Sequence, residues 1–370
     1  MDGAQLNADL AERLRKHRVM PDIVHLDAAS CACTSQAVLD VQVSYLRMEA
    51  AKGGQVAKEM VQPSIDSLRR SLAALFNQES YKVALTPNGT IGFATLLQQW
   101  PLGRAARIGI VSSEFWGNLF ALKDRAQRDG VELVELSLDA EGRIDLDRLE
   151  RTVRGGLGLV TFPHVSSHRG IVQPVRQVTS ICRRMGVPSI VDVTQSAGSI
   201  DLSDVPATAF VGTSRKWLRG PRGVGFVAIA GDSPLTESGR LETHESSDAA
   251  RVGFARALVE LEEEGVHNVS ARITWMAARV RRTLQTIPGC TVLEPLDEPS
   301  GIVTFRCEGM GADEVRANLL VQGILVSAIP VERAPLEPGF RPVVRVAAHA
   351  YSNDSDLERL VGALRSIANA

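Results

Sequence analysis

From residue 83 to about 229, short apolar runs alternate with amphipathic stretches. The runs fall at 82–85, 108–111, 133–136, 157–162, 189–193, 209–212 and 225–230. Each is continuously apolar rather than alternating, as expected of strands covered on both faces. The pattern predicts an α/β fold: a mostly parallel, seven-stranded sheet with crossover helices.

Upstream, Leu6, Leu10 and Leu14 recur at helical spacing and predict a helix within 1–25, leading into a strand at 23–26. Residues 35–80 carry two helical patterns, with Leu68, Leu72, Leu75 and Phe76 on one apolar face. One long helical stretch is expected at about 247–287. Beyond it, strands at 302–305 and 343–347 alternate with helices at 312–320 and 354–367, a small α+β unit. The expected organisation is an N-terminal arm (1–25), a large domain (26–245), a connecting helix (246–288) and a small C-terminal domain (289–370) that packs with the arm.

Composition narrows the function classes. The 370 residues suffice for one large and one smaller domain. A net charge of −2 gives no electrostatic case for nucleic acid or an anionic membrane. The five cysteines are scattered, and Cys31-x-Cys33 has neither zinc nor thioredoxin spacing. Reduced thiols in a cytoplasmic protein are therefore expected. No apolar core of signal-peptide length precedes His25, and no run of about 18 apolar residues exists to span a membrane.

Candidate chemistry gathers where predicted strands end. Thr213-Ser214-Arg215-Lys216-Trp217-Leu218-Arg219-Gly220-Pro221-Arg222-Gly223-Val224-Gly225-Phe226 sets one lysine between a polar turn and a glycine-rich run that becomes a strand. Such a run implies tight backbone geometry and close approach by a ligand. The ordinary alternative is a surface lysine among Arg215, Arg219 and Arg222. Twenty-four residues upstream, Ile190-Val191-Asp192-Val193-Thr194-Gln195 puts a carboxylate at a buried strand's end, where α/β ligands bind. Alone, Asp192 reads equally as a helix cap. Together with Lys216 it points to pyridoxal 5′-phosphate (PLP) chemistry, in which a lysine holds the aldehyde and an aspartate keeps the ring nitrogen protonated.

Thr86-Pro87-Asn88-Gly89-Thr90-Ile91-Gly92 follows a strand and opens a helix, which exposes backbone N–H groups to a phosphate; a plain Asn-Gly turn would look the same. Phe115 or Trp116 could stack on a cofactor ring or fill the core. His164 and His168 are acid–base candidates or satisfied loop histidines. Arg345, inside an apolar strand, needs a partner anion: a substrate carboxylate or an internal Asp/Glu.

These motifs, in this order, resemble the class V aminotransferases of PLP fold type I. The likeness runs from about His25 to the C-terminus and includes His25-Leu26-Asp27-Ala28-Ala29 and Tyr351-Ser352-Asn353-x-x-Asp356-Leu357. Within the family, residues 215–225 look most like the C–S lyase branch that cleaves hercynylcysteine sulfoxide, with related enzymes of lincosamide assembly. The resemblance implies Lys216 as Schiff-base lysine and proton carrier, Asp192 as ring-nitrogen partner, and Gln195 at the ring O3′. It implies Asn88, Gly89, Thr90, Thr213 and Arg215 at the phosphate and Phe115, or Trp116 in its place, on the ring. Ser167 stands where the family often has asparagine. Arg345 would grip the substrate carboxylate, with Ala29 and Ser30 beside it. A homodimer with shared active sites is implied, residues 242–247 reaching the partner's phosphate.

No cysteine lies between Cys307 and the C-terminus, so the thiol that a cysteine desulfurase carries before this arginine is missing. The leading expectation is β-elimination from an S-substituted cysteine. The rivals keep PLP and break another bond: decarboxylation-coupled oxidative deamination, amine transfer or epimerisation. A non-catalytic PLP-fold protein is disfavoured by the presence of both Lys216 and Asp192.

Overall fold

The computed structural model describes residues 3–76, 81–103, 105–233, 235, 241–243 and 245–368, with side chains from 8 to 367. The chain opens with α1 (Gly3–Lys16), β1 (Val24–His25), α2 (Gln36–Lys52) and α3 (Gly54–Ala74). Then come β2 (Lys82–Thr86), α4 (Gly89–Gln99), β3 (Arg107–Ile110), α5 (Trp116–Asp129), β4 (Glu132–Glu135) and α6 (Leu146–Arg154). The series continues with β5 (Leu159–Pro163), α7 (Val175–Arg184), β6 (Ser189–Asp192), β7 (Ala209–Thr213) and β8 (Gly225–Ile229). Two helices follow, α8 (Asp248–Glu264) and α9 (Val266–Leu284), then β9 (Cys290–Val292), β10 (Ile302–Cys307) and α10 (Ala312–Val321). The chain ends with β11 (Ile324–Leu325), β12 (Ser327–Ile329), β13 (Val343–Ala347) and α11 (Asp354–Ala368).

All seven expected strands join one sheet, ordered β2-β8-β7-β6-β5-β3-β4. Only β8 runs against the rest. Strands β5 to β8 are buried at every position, which is why they read as unbroken apolar runs. Successive residues serve opposite faces. Phe210 and Phe226 belong to the cluster that includes Leu68, Leu72 and Phe76 of the α3 region. Val211 and Val227 pack with Phe93, Leu96 and Leu122 of α4 and α5. Phe76 stacks on Phe210 at 4.1 Å, and burying a side chain of this size contributes on the order of 2–3 kcal/mol. Leu75 is partly buried against the same cluster, and Leu10 and Leu14 of α1 lie within it. The side chain of Leu6 lies outside the described residues.

The single helix expected at 247–287 is instead two. Gly265, at φ +81°, ends α8 and begins α9. A left-handed backbone there breaks the helix although apolar spacing continues through it. Ser247 caps α8 by accepting the Ala250 N–H at 3.1 Å.

In the C-terminal part, β12-β13-β10-β9 form an antiparallel sheet packed on α10 and α11. Strands β9, β11 and β12 were not expected; at two or three residues each, they are too short to show a period. Strand β1 pairs in parallel with β11. Arg15 of α1 reaches Asp356 at 2.7 Å and the Tyr351 carbonyl at 3.2 Å, fixing the arm to the C-terminal unit. Among the described residues no helix is long and apolar enough to cross a membrane.

Candidate active site

Asp192 ends β6 and Lys216 follows β7, the adjacent strand, so sheet order alone brings the two together. The turn carrying the lysine is pinned at several points. Ser214 Oγ donates to the Val224 carbonyl at 2.9 Å, and Gly220 N–H to the Ser214 carbonyl at 2.9 Å. Fully buried Trp217 donates Nε1–H to Gln195 Oε1 at 3.0 Å. Arg219 sits at φ +59°, unusual for a residue with a side chain, and its buried guanidinium pairs with Glu264 at 2.6 Å. A Cβ on Gly225 would lie 2.3 Å from the Asn88 carbonyl carbon. At Gly225 the close approach is made by the protein's own 88–89 turn, while Gly223 of the same run lines the cavity described next.

A cavity of about 480 Å³ opens at these strand ends. Of the anticipated residues, Asn88, Gly89, Thr90, Phe115, Ser167, Asp192, Gln195, Thr213, Arg215 and Lys216 line it. Trp116, Ala29, Ser30 and Arg345 are not in its wall. Trp116 packs edge-on against Phe120 and lies under the Arg333 guanidinium, so the aromatic presented to the cavity is Phe115. His164 is buried, its pKa pushed down to about 3 chiefly by desolvation. His168 is taken up by Glu337 at 2.7 Å. Neither histidine lines the cavity.

The Lys216 side chain is buried and has no hydrogen-bond acceptor among the described residues. Burial pushes its pKa down to about 7, helped by Arg215 and Arg345 and opposed by Asp192 and Asp27. An amine so placed is available in its neutral, nucleophilic form near neutral pH.

Asp192 is tied at both oxygens. Oδ1 accepts the Thr194 N–H at 2.8 Å, and Oδ2 accepts Asn118 Nδ2–H at 2.8 Å. Asn118 also donates to Glu114 Oε1 at 3.2 Å, and the same oxygen takes the Phe115 N–H at 2.8 Å. Glu114 is pushed up to about 8, first by burial and then by Asp192, so it is largely protonated at neutral pH. Sequence reasoning missed both Glu114 and Asn118. Their signal was the four-residue spacing across the start of a helix, which lets one carboxyl and one amide meet.

The opposite wall is built for an anion. Asn88 caps α4 by accepting the Ile91 N–H at 2.9 Å. The Gly89 and Thr90 N–H groups have no acceptor among the described residues. Arg215 and Arg222 line the same cavity, and neither pairs with a carboxylate among the described residues. Gln195 is partly committed: Nε2 donates to the Ala29 carbonyl at 3.1 Å and Oε1 accepts from Trp217, which leaves one amide N–H.

Arg345 is buried and heavily bonded. It donates to the Ser167 carbonyl at 2.7 Å, Ser30 Oγ at 2.7 Å, Asp27 Oδ1 at 3.2 Å and Ser327 Oγ at 3.3 Å. Burial lowers its pKa, and Asp27 opposes that shift. Of the two partners weighed for it, the fold contains the internal carboxylate. Glu242 is likewise held within its own chain, accepting from Leu85 N–H at 3.0 Å and Arg69 at 3.1 Å. His244, inside the segment expected to reach a partner's phosphate, lies outside the described residues.

The family profile for aminotransferase class-V matches residues 24–360. A probable hercynylcysteine sulfoxide lyase of Mycobacterium tuberculosis is 33% identical, over 96% of this chain and 93% of that protein. Isopenicillin N epimerase of Streptomyces clavuligerus is 26% identical, over 97% of this chain and 98% of its own. The apo cysteine desulfurase from Thermococcus onnurineus NA1 superposes with a TM-score of 0.88 at 20% identity, covering 97% of this chain and 98% of that one. This last likeness shows the shared fold. Among the described residues, the lysine without an acceptor, the hydrogen-bonded carboxylate in the same cavity and the N–H groups beside two guanidiniums without carboxylate partners fit an aldehyde, a ring nitrogen and a phosphate carried on one molecule.

Proposed function

We propose that this chain, which belongs to the class V aminotransferase family and is a PLP-dependent enzyme, is a C–S lyase that removes a thiol from an S-substituted cysteine by β-elimination. PLP, when bound, supplies an electrophilic aldehyde and a ring that takes up the electron pair left at a substrate carbon.

The residues divide the remaining work. Lys216 would hold the aldehyde carbon and, as a free neutral amine, would take the Cα proton; its lowered pKa suits it to that transfer at neutral pH. Asp192, its orientation fixed by Thr194 and Asn118, would keep the ring nitrogen protonated. Phe115 would pack against the ring. Gly89, Thr90, Thr213 and Arg215 would hold the phosphate, and Gln195 and Ser167 would contact the ring oxygen. The pair of electrons from the Cα–H bond expels sulfur from Cβ. The released three-carbon enamine hydrolyses to pyruvate and ammonia.

The observation that supports C–S cleavage over other outcomes is the 33% identity, over nearly the whole chain, to a probable hercynylcysteine sulfoxide lyase. The absence of any cysteine after Cys307 argues against a persulfide-forming desulfurase. The enzyme is a homodimer with shared active sites, and gel filtration of an active monomer would contradict that part. For the chemistry, thiol release from a bulky cysteine S-conjugate is compared between the PLP-loaded wild type and Lys216→Ala. The wild type alone is expected to release thiol; equal release by both sinks the assignment.

One observation favours a second reading. Arg345 is already engaged by Asp27 and lies outside the cavity wall. If it leaves the substrate carboxylate unheld, that carboxylate can stand perpendicular to the ring and depart as carbon dioxide, the route of decarboxylation-coupled oxidative deamination.

A further inference from the structure

The five cysteine thiols are free in the fold, but two of them face each other on the C-terminal unit. Cys290 opens β9 and Cys307 closes β10, and the two are directly opposed in the antiparallel register. Glu308 N–H donates to the Gly289 carbonyl at 2.8 Å, and Leu293 N–H to the Thr304 carbonyl at 3.0 Å. Bonded pairs recur at every second residue, so 290 and 307 occupy a non-hydrogen-bonded pair. There the Cα atoms approach to about 4.5 Å, within the roughly 4.4–6.8 Å that a disulfide bridges. The sulfurs are 3.4 Å apart.

Access and reactivity agree with this geometry. Strand β9 is the edge of its sheet, and both thiols are half-buried rather than enclosed. A hydrogen bond between the two sulfurs stabilises one thiolate of the pair by donation from the other thiol. Cys182 is buried in the core with its pKa pushed up to about 12, and burial also raises that of Cys33.

We propose that Cys290 and Cys307 are a redox-modification site that closes to a reversible disulfide in the presence of a low-molecular-weight disulfide oxidant. One thiolate of the pair attacks one sulfur of the oxidant, breaking its S–S bond and releasing one thiol. The other thiolate then attacks the sulfur so modified and expels the second thiol. Two protein thiols are oxidised by two electrons, and one oxidant disulfide becomes two thiols.

The bridge closes the loop between β9 and β10. That loop holds Glu294, which accepts Gly170 N–H and Thr304 N–H at 2.9 Å each, and Glu298, which accepts Val172 N–H at 2.8 Å. It thereby braces the segment after β5 whose Ser167 carbonyl holds Arg345. The expected physical effect is a higher melting temperature of the oxidised protein, lost when the bridge is reduced.

The test treats the PLP-loaded protein with glutathione disulfide, alkylates the remaining thiols, digests without reductant and maps peptides by mass. The expected result is a Cys290–Cys307 linked peptide lighter by two hydrogens than its reduced parts, with Cys182 still alkylated. In either single variant, Cys307→Ser or Cys290→Ser, the remaining cysteine should arrest as a glutathione adduct with no internal bridge. Full alkylation of both cysteines in the wild type after excess oxidant overturns the proposal. So does a predominant linkage of either one to Cys31 or Cys33.

Discussion

Lys216, just past the end of β7, and Arg345, in the middle of β13, are both buried basic residues, yet the fold treats them oppositely. Lys216 has no acceptor among the described residues and faces a carboxylate across an open cavity. Arg345 has four acceptors, one of them the Asp27 carboxylate. Burial favours the neutral amine of Lys216, so it stands at the cavity without a counter-ion and is free to react with a ligand. Arg345 is held by four acceptors, with only its Nε unpartnered among the described residues, and a substrate carboxylate must compete with Asp27 to use it. The cofactor end presents its functional groups to a cavity; the carboxylate end is a network that a substrate must open.

Changes at the two ends should therefore differ in kind. The largest effect is expected from Lys216→Ala, which removes both the covalent tether and the proton carrier. Turnover should fall by on the order of 10⁴ or more, and borohydride should no longer fix PLP to the chain. Asp192→Asn removes the charge beside the ring and can keep only one of the two hydrogen bonds, from Thr194 or from Asn118. It should lower kcat by about 10²–10³ at saturating PLP, with a modest fall in melting temperature from the lost bond.

At the other end the loss should appear in stability first. Asp27→Asn leaves Arg345 buried without a counter-ion, costing on the order of 3 kcal/mol in urea unfolding. Added S-conjugate should restore more stability to this variant than to the wild type, because its carboxylate supplies the missing charge. Equal stabilisation of both proteins would mean that the substrate never reaches Arg345.

The smallest effect on turnover is expected beneath the cofactor end. The Glu114 pKa is raised to about 8 from 4.5. Its contribution to stability is thus fully present below about pH 4.5 and is lost as pH rises through about 8. Glu114→Gln keeps the shape and removes the titration. Between about pH 5 and pH 9 its stability should decline less than that of the wild type, by on the order of 4 kcal/mol at about 1.36 kcal/mol per pH unit. Parallel curves for the two proteins would show that Glu114 is ionised throughout.

What was legible in the sequence follows the same division. The seven central strands could be read because burial on both faces makes each run apolar at every position. Asp192 and Lys216 could be paired because each closes such a run. Gly265 hid the break between α8 and α9, since apolar positions continue on both sides of it. The Asp27–Arg345 contact spans 318 residues and joins two motifs that local spacing cannot relate. Glu114 and Asn118 lay inside a motif already singled out for its aromatics, whose bulk drew attention from the polar pair behind them. The cysteine pair was legible only as two scattered thiols, because register alone brings Cys290 to Cys307.

The central claim is that the bond broken is Cβ–S. The most direct measurement follows pyruvate, the sulfur product (a sulfenic acid from a sulfoxide, a free thiol from a thioether) and carbon dioxide together while the PLP-loaded enzyme consumes a bulky cysteine S-conjugate such as hercynylcysteine sulfoxide or a sugar thioether. The account predicts pyruvate equal to substrate consumed, a matching yield of the sulfur product and no carbon dioxide. Carbon dioxide with an aldehyde, and no pyruvate, would contradict it and place the broken bond at the carboxylate that Arg345 fails to hold.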